Sequence, residues 1–197
     1  MKSLEKLFLV ALCFGISCSQ ISDELATNQL KSGDLGADKT HETKMVTVPF
    51  VVDYTGTYVY GPMGIPTDKC QINVFVEGEG TGTHVGNSTI YFDFCVNPIF
   101  EDDVFIRGEH GNAYSYIVAA NGDTLFVSVE GAVLPGRLDD HPEHVVSYWR
   151  DPFVILDGTG RFEGATGSGM TDDYNSSENQ NSHHHWVGTI TMKKGKR

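Results

Sequence analysis

The chain of 197 residues is poor in basic side chains, with 14 lysines and arginines against 26 aspartates and glutamates and a formal net charge of −12. A surface this acidic repels phosphate backbones, so nucleic acid is excluded as a partner, and it gives no electrostatic grip on anionic lipid. The leading apolar run, residues 7–14, is about half of what a bilayer crossing needs. No amphipathic helical period is sustained anywhere after it, which excludes helical bundles and doubly wound sheets. There is no Gly-x-Ser-x-Gly elbow, no cysteine in a nucleophile motif, and no Lys-Ser or Lys-Thr after a glycine-rich stretch. Hydrolase and nucleotide-binding readings therefore have no motif to rest on, and no cofactor is expected.

Present instead is a leader. Lys2 and Lys6 precede the apolar run, and Gly15-Ile16-Ser17-Cys18 follows at once. A basic head, a short apolar segment and small residues before a cut site make a secretory signal peptide over residues 1–17. Cys18 just after the boundary resembles the lipobox of bacterial lipoproteins, with Gly15 standing where leucine is usual. That resemblance implies a diacylglycerol on the Cys18 thiol, cleavage before it and an acylated new amino terminus. It implies a protein of the bacterial cell envelope, lipid-anchored in the outer membrane on its periplasmic side or at the cell surface. Loss of Lys2, Lys6 and Glu5 with the signal takes the net charge from −12 to −13, so the lipid alone would join the chain to its membrane partner.

Residues 18–44 carry no sustained apolar period and no aromatic residue, the pattern of a flexible tether. Within it, Ser22-Asp23-Glu24 resembles an acidic surface-export signal or is ordinary solvated linker. From residue 45 to 194 the apolar period becomes two. Val46, Val48 and Phe50 alternate with Thr47 and Pro49; Cys70, Ile72, Val74 and Val76 alternate with Gln71, Asn73, Phe75 and Glu77; Ile90, Phe92 and Phe94 alternate with Tyr91, Asp93 and Cys95. Further strand-like runs cover 113–119, 124–133, 145–156, 169–174 and 186–192, and Asn121-Gly122 is a hairpin-turn signal. A sheet of this many strands must fold onto a second sheet or close on itself to remove its edges. The expectation is an all-β domain, an antiparallel closed barrel of about eight strands.

Three segments carry more than general β-character: residues 78–86, with Gly78, Gly80, Gly82 and His84; residues 119–123; and residues 157–169, which contain Gly158, Gly160, Arg161, Phe162, Gly164, Ala165 and Gly167. In this order they resemble bacterial lipoproteins whose domain is similar to the allene oxide cyclase and dirigent barrels. The resemblance implies an eight-stranded antiparallel barrel related in shape to the lipocalins, and the interior of a barrel this small is either filled by side chains or has room for one ligand. It does not carry over a reaction, because one fold hosts many functions. Two inward carboxylates are expected, Asp93 and Glu130, and neither falls in a motif that aligns with a catalytic one. In the third segment the glycines are read as a structural turn, with Arg161 and Glu163 paired or capping it.

Two other sets of residues complete the reading. Cys70 and Cys95 stand in strand-like runs outside the cytoplasm, either as a disulfide or as two small buried side chains. His141 and His144 lie in an acidic loop, and His183, His184 and His185 precede the last strand-like run. Because neighbours on a strand face opposite ways, His183 and His185 are candidate metal ligands with His141 and His144, while His184 is not. Polar loops are the plainer account, and the triplet is expected to be a soluble lead-in to the final strand. The overall expectation is a membrane-anchored, non-catalytic barrel binding a small apolar ligand or a partner. The alternatives are a cyclase or isomerase acting on a lipid-like substrate in the lumen, and metal capture by the histidines.

Overall fold

The computed structural model describes residues 44–195. The expected signal peptide (1–17), Cys18 and all but the last residue of the expected tether (18–44) lie outside the described residues. Period-two alternation of valine, threonine and aromatic residues becomes ten strands: β1 (Met45–Tyr58), β2 (Asn73–Gly82), β3 (Gly86–Cys95), β4 (Asn97–Glu101), β5 (Val104–Val118), β6 (Thr124–Pro135), β7 (Val145–Trp149), β8 (Pro152–Gly158), β9 (Thr166–Ser176) and β10 (Ser182–Lys193).

Eight of these close a ring. The pairs β1–β2, β2–β3, β3–β5, β5–β6, β6–β8, β8–β9 and β9–β10 are antiparallel, and β10 returns to β1 from Met45↔Lys193 to Gly56↔Ser182. Closure leaves no ring edge unpaired, which is the reason for a barrel. Strand β4 folds back on the start of β5, and β7 bridges the ends of β6 and β9. Several details differ from the sequence expectation, among them the start of β5 at Val104 rather than near residue 113. β4 was not anticipated, and the run 145–156 is two strands broken at Arg150 and Asp151, because β7 and β8 pair with β9 in different registers.

The two ends of the ring differ. One end gathers the loops after β2, β5 and β8, and apolar side chains fill it. Phe50, Val85, Ile117, Leu125, Ile155, Phe162, Ala165 and Ile190 are buried there. A 3-10 turn, Gly160–Phe162, carries Phe162 into this plug. Gly160 (φ 55°) and Gly164 (φ 73°) bracket that turn in the left-handed region, which a side chain disfavours. Asp123 receives the Arg161 backbone N–H at 3.1 Å, tying the turn to the β5–β6 hairpin. Asp157 receives the backbone N–H groups of Gly158 and Gly164, each at 2.8 Å. Of the two roles expected for Arg161 and Glu163, the pairing is corrected and the capping is found at Glu163: its backbone N–H closes the turn on the Gly160 carbonyl, its carboxylate pairs with Lys193 on β10 at 2.6 Å, and Arg161 lies over the ring of Phe162.

At the other end, the loop between β1 and β2 and the β4–β5 hairpin form a rim. Cys70 and Cys95 are joined there as a disulfide, with Cα atoms 5.8 Å apart. It pins the loop before β2 to the end of β3. This rim exposes Met63 (78 %), Phe100 (57 %) and Val104 (60 %) rather than covering them.

Candidate functional site

The mouth half of the barrel encloses a cavity of about 490 Å³. Val74 and Val76 on β2, Phe92 and Phe94 on β3, Trp149 on β7 and Trp186 on β10 form much of its wall. Its depth is set by Trp186, whose indole stacks on Phe153 with ring centres 5.2 Å apart and caps the filled half.

Two imidazole–carboxylate pairs interrupt this apolar wall. In the first, His184 Nδ1 is 2.9 Å from Asp173 Oδ2, and its Nε2 is 2.9 Å from Ser182 Oγ. The Asp173 carboxyl also accepts the Trp186 indole N–H, at 3.1 and 3.0 Å to its two oxygens, and the His185 backbone N–H at 3.1 Å. With three neighbouring groups donating into Asp173, Nδ1 carries the imidazole hydrogen and Nε2 accepts from Ser182. Burial pushes the Asp173 pKa up, and His184, Trp186 and the His185 N–H pull against it. Phe92 stacks on His184 at 4.8 Å and Trp149 meets it edge-on at 5.8 Å.

Local sequence explains the placement. Ser182, His184 and Trp186 share a parity on β10, and the register sets His184 opposite Asp173 and Ser182 opposite Gly56. A side chain on Gly56 would occupy the space of Ser182 Oγ. Beside this group, the half-buried Tyr58 hydroxyl donates to Asn175 Oδ1 at 2.6 Å, and Asn175 donates to Ser147 Oγ at 2.8 Å. Burial raises the Tyr58 pKa to about 12, so the phenol is neutral and a donor at physiological pH.

The second pair is His110 on β5 and Asp151 between β7 and β8, with Nε2 3.1 Å from Oδ2. A register shift between His110 and Ala113 turns β5 over, so His110 faces inward together with Ala113, Ser115 and Ile117 despite their different parity. Gly131, opposite His110 on β6, leaves the space that the Asp151 carboxylate fills.

The residues singled out from sequence land elsewhere. Asp93 is partly exposed and bonded to Lys69 at 3.1 Å and to Asn73 at 2.6 Å, and Glu130 is exposed on the outer face. The inward carboxylates are Asp173 and Asp151, whose parity could be read only with the register known. Gly158, Gly160, Arg161, Phe162, Gly164 and Gly167 belong to the plugged end, away from the cavity lining. His84, in the turn between β2 and β3, reaches the Pro49 carbonyl at 3.2 Å.

The proposed metal set is also redistributed. Tyr174 occupies the middle of three of the four imidazoles, with ring centres 5.9 Å from His141, 6.1 Å from His144 and 4.7 Å from His183. His141 bonds Asp172 at 3.0 Å, and His185 bonds Asp53 at 2.6 Å. Among the described residues no group of three or more His, Cys, Asp or Glu side chains is placed to hold a metal ion. The triplet is part of β10 itself rather than a lead-in, and His184, the one set aside from sequence, faces the lumen.

Two solved structures similar to this chain are pterocarpan synthase dirigent proteins. One matches at 13% identity with a TM-score of 0.37, covering 78% of this chain and 88% of that one. The other matches at 13% identity with a TM-score of 0.36, covering 77% of this chain and 97% of that one. No protein-family model matches the sequence, and no curated protein does.

Proposed function

We propose that this chain is a binding protein of a bacterial envelope, held to its membrane by lipid on Cys18, that carries one small and mainly apolar molecule in the mouth half of its barrel. The observation that carries the reading is the cavity of about 490 Å³, sealed at its inner end by the Trp186–Phe153 stack and walled by valines and aromatics. Small-molecule sites have volumes of about 300–1,000 Å³ and this mixture of apolar wall and few polar groups. The barrel is thus a cup, not a channel. Lipid anchoring rests on the leader and on Cys18 in the sequence.

Binding fits the wall better than turnover does. Asp173, His184 and Ser182 are ordered as in an acyl-transfer relay, but Ser182 is 0 % exposed and lies against Gly56. A nucleophile needs open approach to a carbonyl carbon, and this hydroxyl is used instead to saturate His184.

The test uses the two tryptophans of the chain, Trp149 and Trp186, both on the cavity wall. Titration with N-phenyl-1-naphthylamine is expected to quench them saturably while the dye brightens, and Val129→Trp, which fills the lumen, is expected to abolish both changes. Absence of saturable uptake by the folded wild-type protein would sink the binding reading. Separately, Cys18→Ala is expected to move the protein out of the membrane fraction; a variant that still pellets with membranes would remove the anchor.

A further inference from the structure

The cavity opens through a rim of one sign of charge. The segments around its mouth (59–72, 96–103, 136–144 and 177–181) carry eight aspartates and glutamates against two basic side chains, Lys69 and Arg137. Both cations are already engaged: Lys69 bonds Asp93 at 3.1 Å, and Arg137 donates to the Leu138 and His141 carbonyls at 3.4 and 3.3 Å. The plugged end differs. There Lys44, Arg161, Lys193 and Lys194 outnumber Asp123, Asp157 and Glu163. Negative charge therefore faces whatever approaches the opening, and none is in excess at the closed end.

Among the described residues no lysine or arginine lines the cavity. The carboxylate that does line it, Asp173, is used by His184, Trp186 and the His185 N–H. Free carboxylates stand at the rim instead. Glu101, Asp102 and Asp103 form the exposed tip of the β4–β5 hairpin, and among the described residues none of their side chains meets a hydrogen-bond or ion-pair partner. Phe100 and Phe105 flank that tip with ring centres 5.8 Å apart; both line the cavity, and Phe100 is 57 % exposed. The reachable surface at this side of the opening is an aromatic face beside three unpaired negative charges.

The site is the cavity, and the rim selects the charge of what enters it. A carboxylate or phosphate head would meet like charge at the mouth and no lysine or arginine within. An ammonium head left at the mouth meets opposite charge, and Phe100 offers it a ring face, to which a cation is attracted within about 6 Å. Its apolar remainder fills the lumen below, so the head stays hydrated and no cation is buried. A rim of one charge also raises the local concentration of the matching ion and its rate of entry. We infer that the ligand of this cup is a cationic amphiphile, an alkyl or aryl amine in chemical class, seated with its chain in the lumen and its ammonium between the 101–103 turn and Phe100. The inference rests on the binding reading above and adds the charge and the orientation of the ligand.

The experiment is displacement of N-phenyl-1-naphthylamine, an uncharged probe, from the wild-type protein at neutral pH by decylammonium, 1-decanol and decanoate, which share a chain and differ in the head. At low salt decylammonium is expected to displace the dye at about tenfold lower concentration than decanoate, with decanol between them. That gap is expected to shrink severalfold at about 0.5 M sodium chloride. In Asp102→Asn/Asp103→Asn the gap is expected to fall severalfold while decanol is unchanged. Both positions lie in the left-handed region (φ 49° and 63°), which asparagine tolerates, so the variant removes charge and keeps the turn. Equal potency of decylammonium and decanoate on the wild-type protein would overturn the inference, as would decanol outcompeting decylammonium or a gap that salt leaves untouched. An unchanged gap in the folded variant would overturn it too. If that variant does not fold, the wild-type comparison of the three heads still decides. Failure of the dye to bind at all would instead remove the binding reading, so the two can fail separately.

Discussion

The two halves of this barrel are made from the same strands and have opposite interiors. Toward the plugged end the inward positions are Phe50, Ile117, Leu125, Ile155 and Ile190, closed over by Phe162 and Ala165, all buried. Toward the mouth the ring strands turn in Val76, Phe92, Val129, Asp173 and His184, and leave about 490 Å³ unfilled. An eight-stranded ring is just wide enough to be filled or to hold one small molecule. Which of these occurs is decided by what caps each end. At one end a glycine-rich 3-10 turn drops an aromatic ring into the lumen. At the other a disulfide-pinned loop and a hairpin stand around the opening.

If this contrast is right, the largest loss of stability comes from the plug. Phe162→Ala is expected to cost about 3–5 kcal/mol in denaturant melts, since it empties a fully buried aromatic site; a cost below about 1 kcal/mol would show that the turn only covers the end. Next comes a buried group that ties several mouth-half neighbours together. Asp173→Ala is expected to cost about 2–3 kcal/mol, because His184, Trp186 and the His185 N–H lose their shared acceptor. Gly160→Val is expected to lower stability by about 1–3 kcal/mol, more than Gly164→Val. Both have positive φ, but a side chain at Gly160 also collides with the Asp123 carboxylate, whereas Gly164 faces open space. Equal costs would place the whole effect in the backbone.

Smaller effects sharpen the contrast. Met63→Ser and Phe105→Ser at the rim are expected to change stability by less than about 0.5 kcal/mol while weakening uptake of the naphthylamine dye severalfold. A stability loss comparable to that of Phe162→Ala would make the rim part of the core. The smallest concerns acid. Backbone N–H groups of Gly158 and Gly164 hold the Asp157 pKa below its ordinary 3.8. A depressed folded pKa gives a contribution that is present above about pH 4 and lost as pH falls through the folded value. The stability gap between wild type and Asp157→Asn is therefore expected to hold from neutral pH to about 4 and close below it; a gap that persists into stronger acid would assign the loss to shape rather than charge.

Much of the wall was legible because period two is a local property. Ile90, Phe92 and Phe94 were read as one face and are one face, and Asn121-Gly122 is the turn between β5 and β6, with Gly122 at φ 85°. The site was not legible for the same reason. Alternation says which residues share a face, not which face is inside, and any irregularity resets the phase. His110 reaches the lumen only because β5 shifts register before Ala113, and Asp151 only because β7 and β8 part there. The serine, histidine and tryptophan at 182, 184 and 186 did alternate in the sequence. Their signal was hidden by the polar residues around them, since a buried polar strand looks like a loop until its partners are known.

What the sequence by itself determined is what depends on neighbours along the chain: the alternation that demands strands, the hairpin signal at Asn121-Gly122, and the count that favours a closed ring. The tertiary structure decided what depends on neighbours across it. It brought Asp173 to His184 through the β9–β10 register, buried one nitrogen of His110 with no hydrogen-bond partner among the described residues, and put Tyr174 between histidines that a metal would need together. Filling one half of the lumen and emptying the other is likewise a sum over eight strands. The physical reason is one of range: backbone geometry alternates residue by residue, whereas burial and hydrogen-bond pairing are set by residues tens of positions apart that meet only when the ring closes.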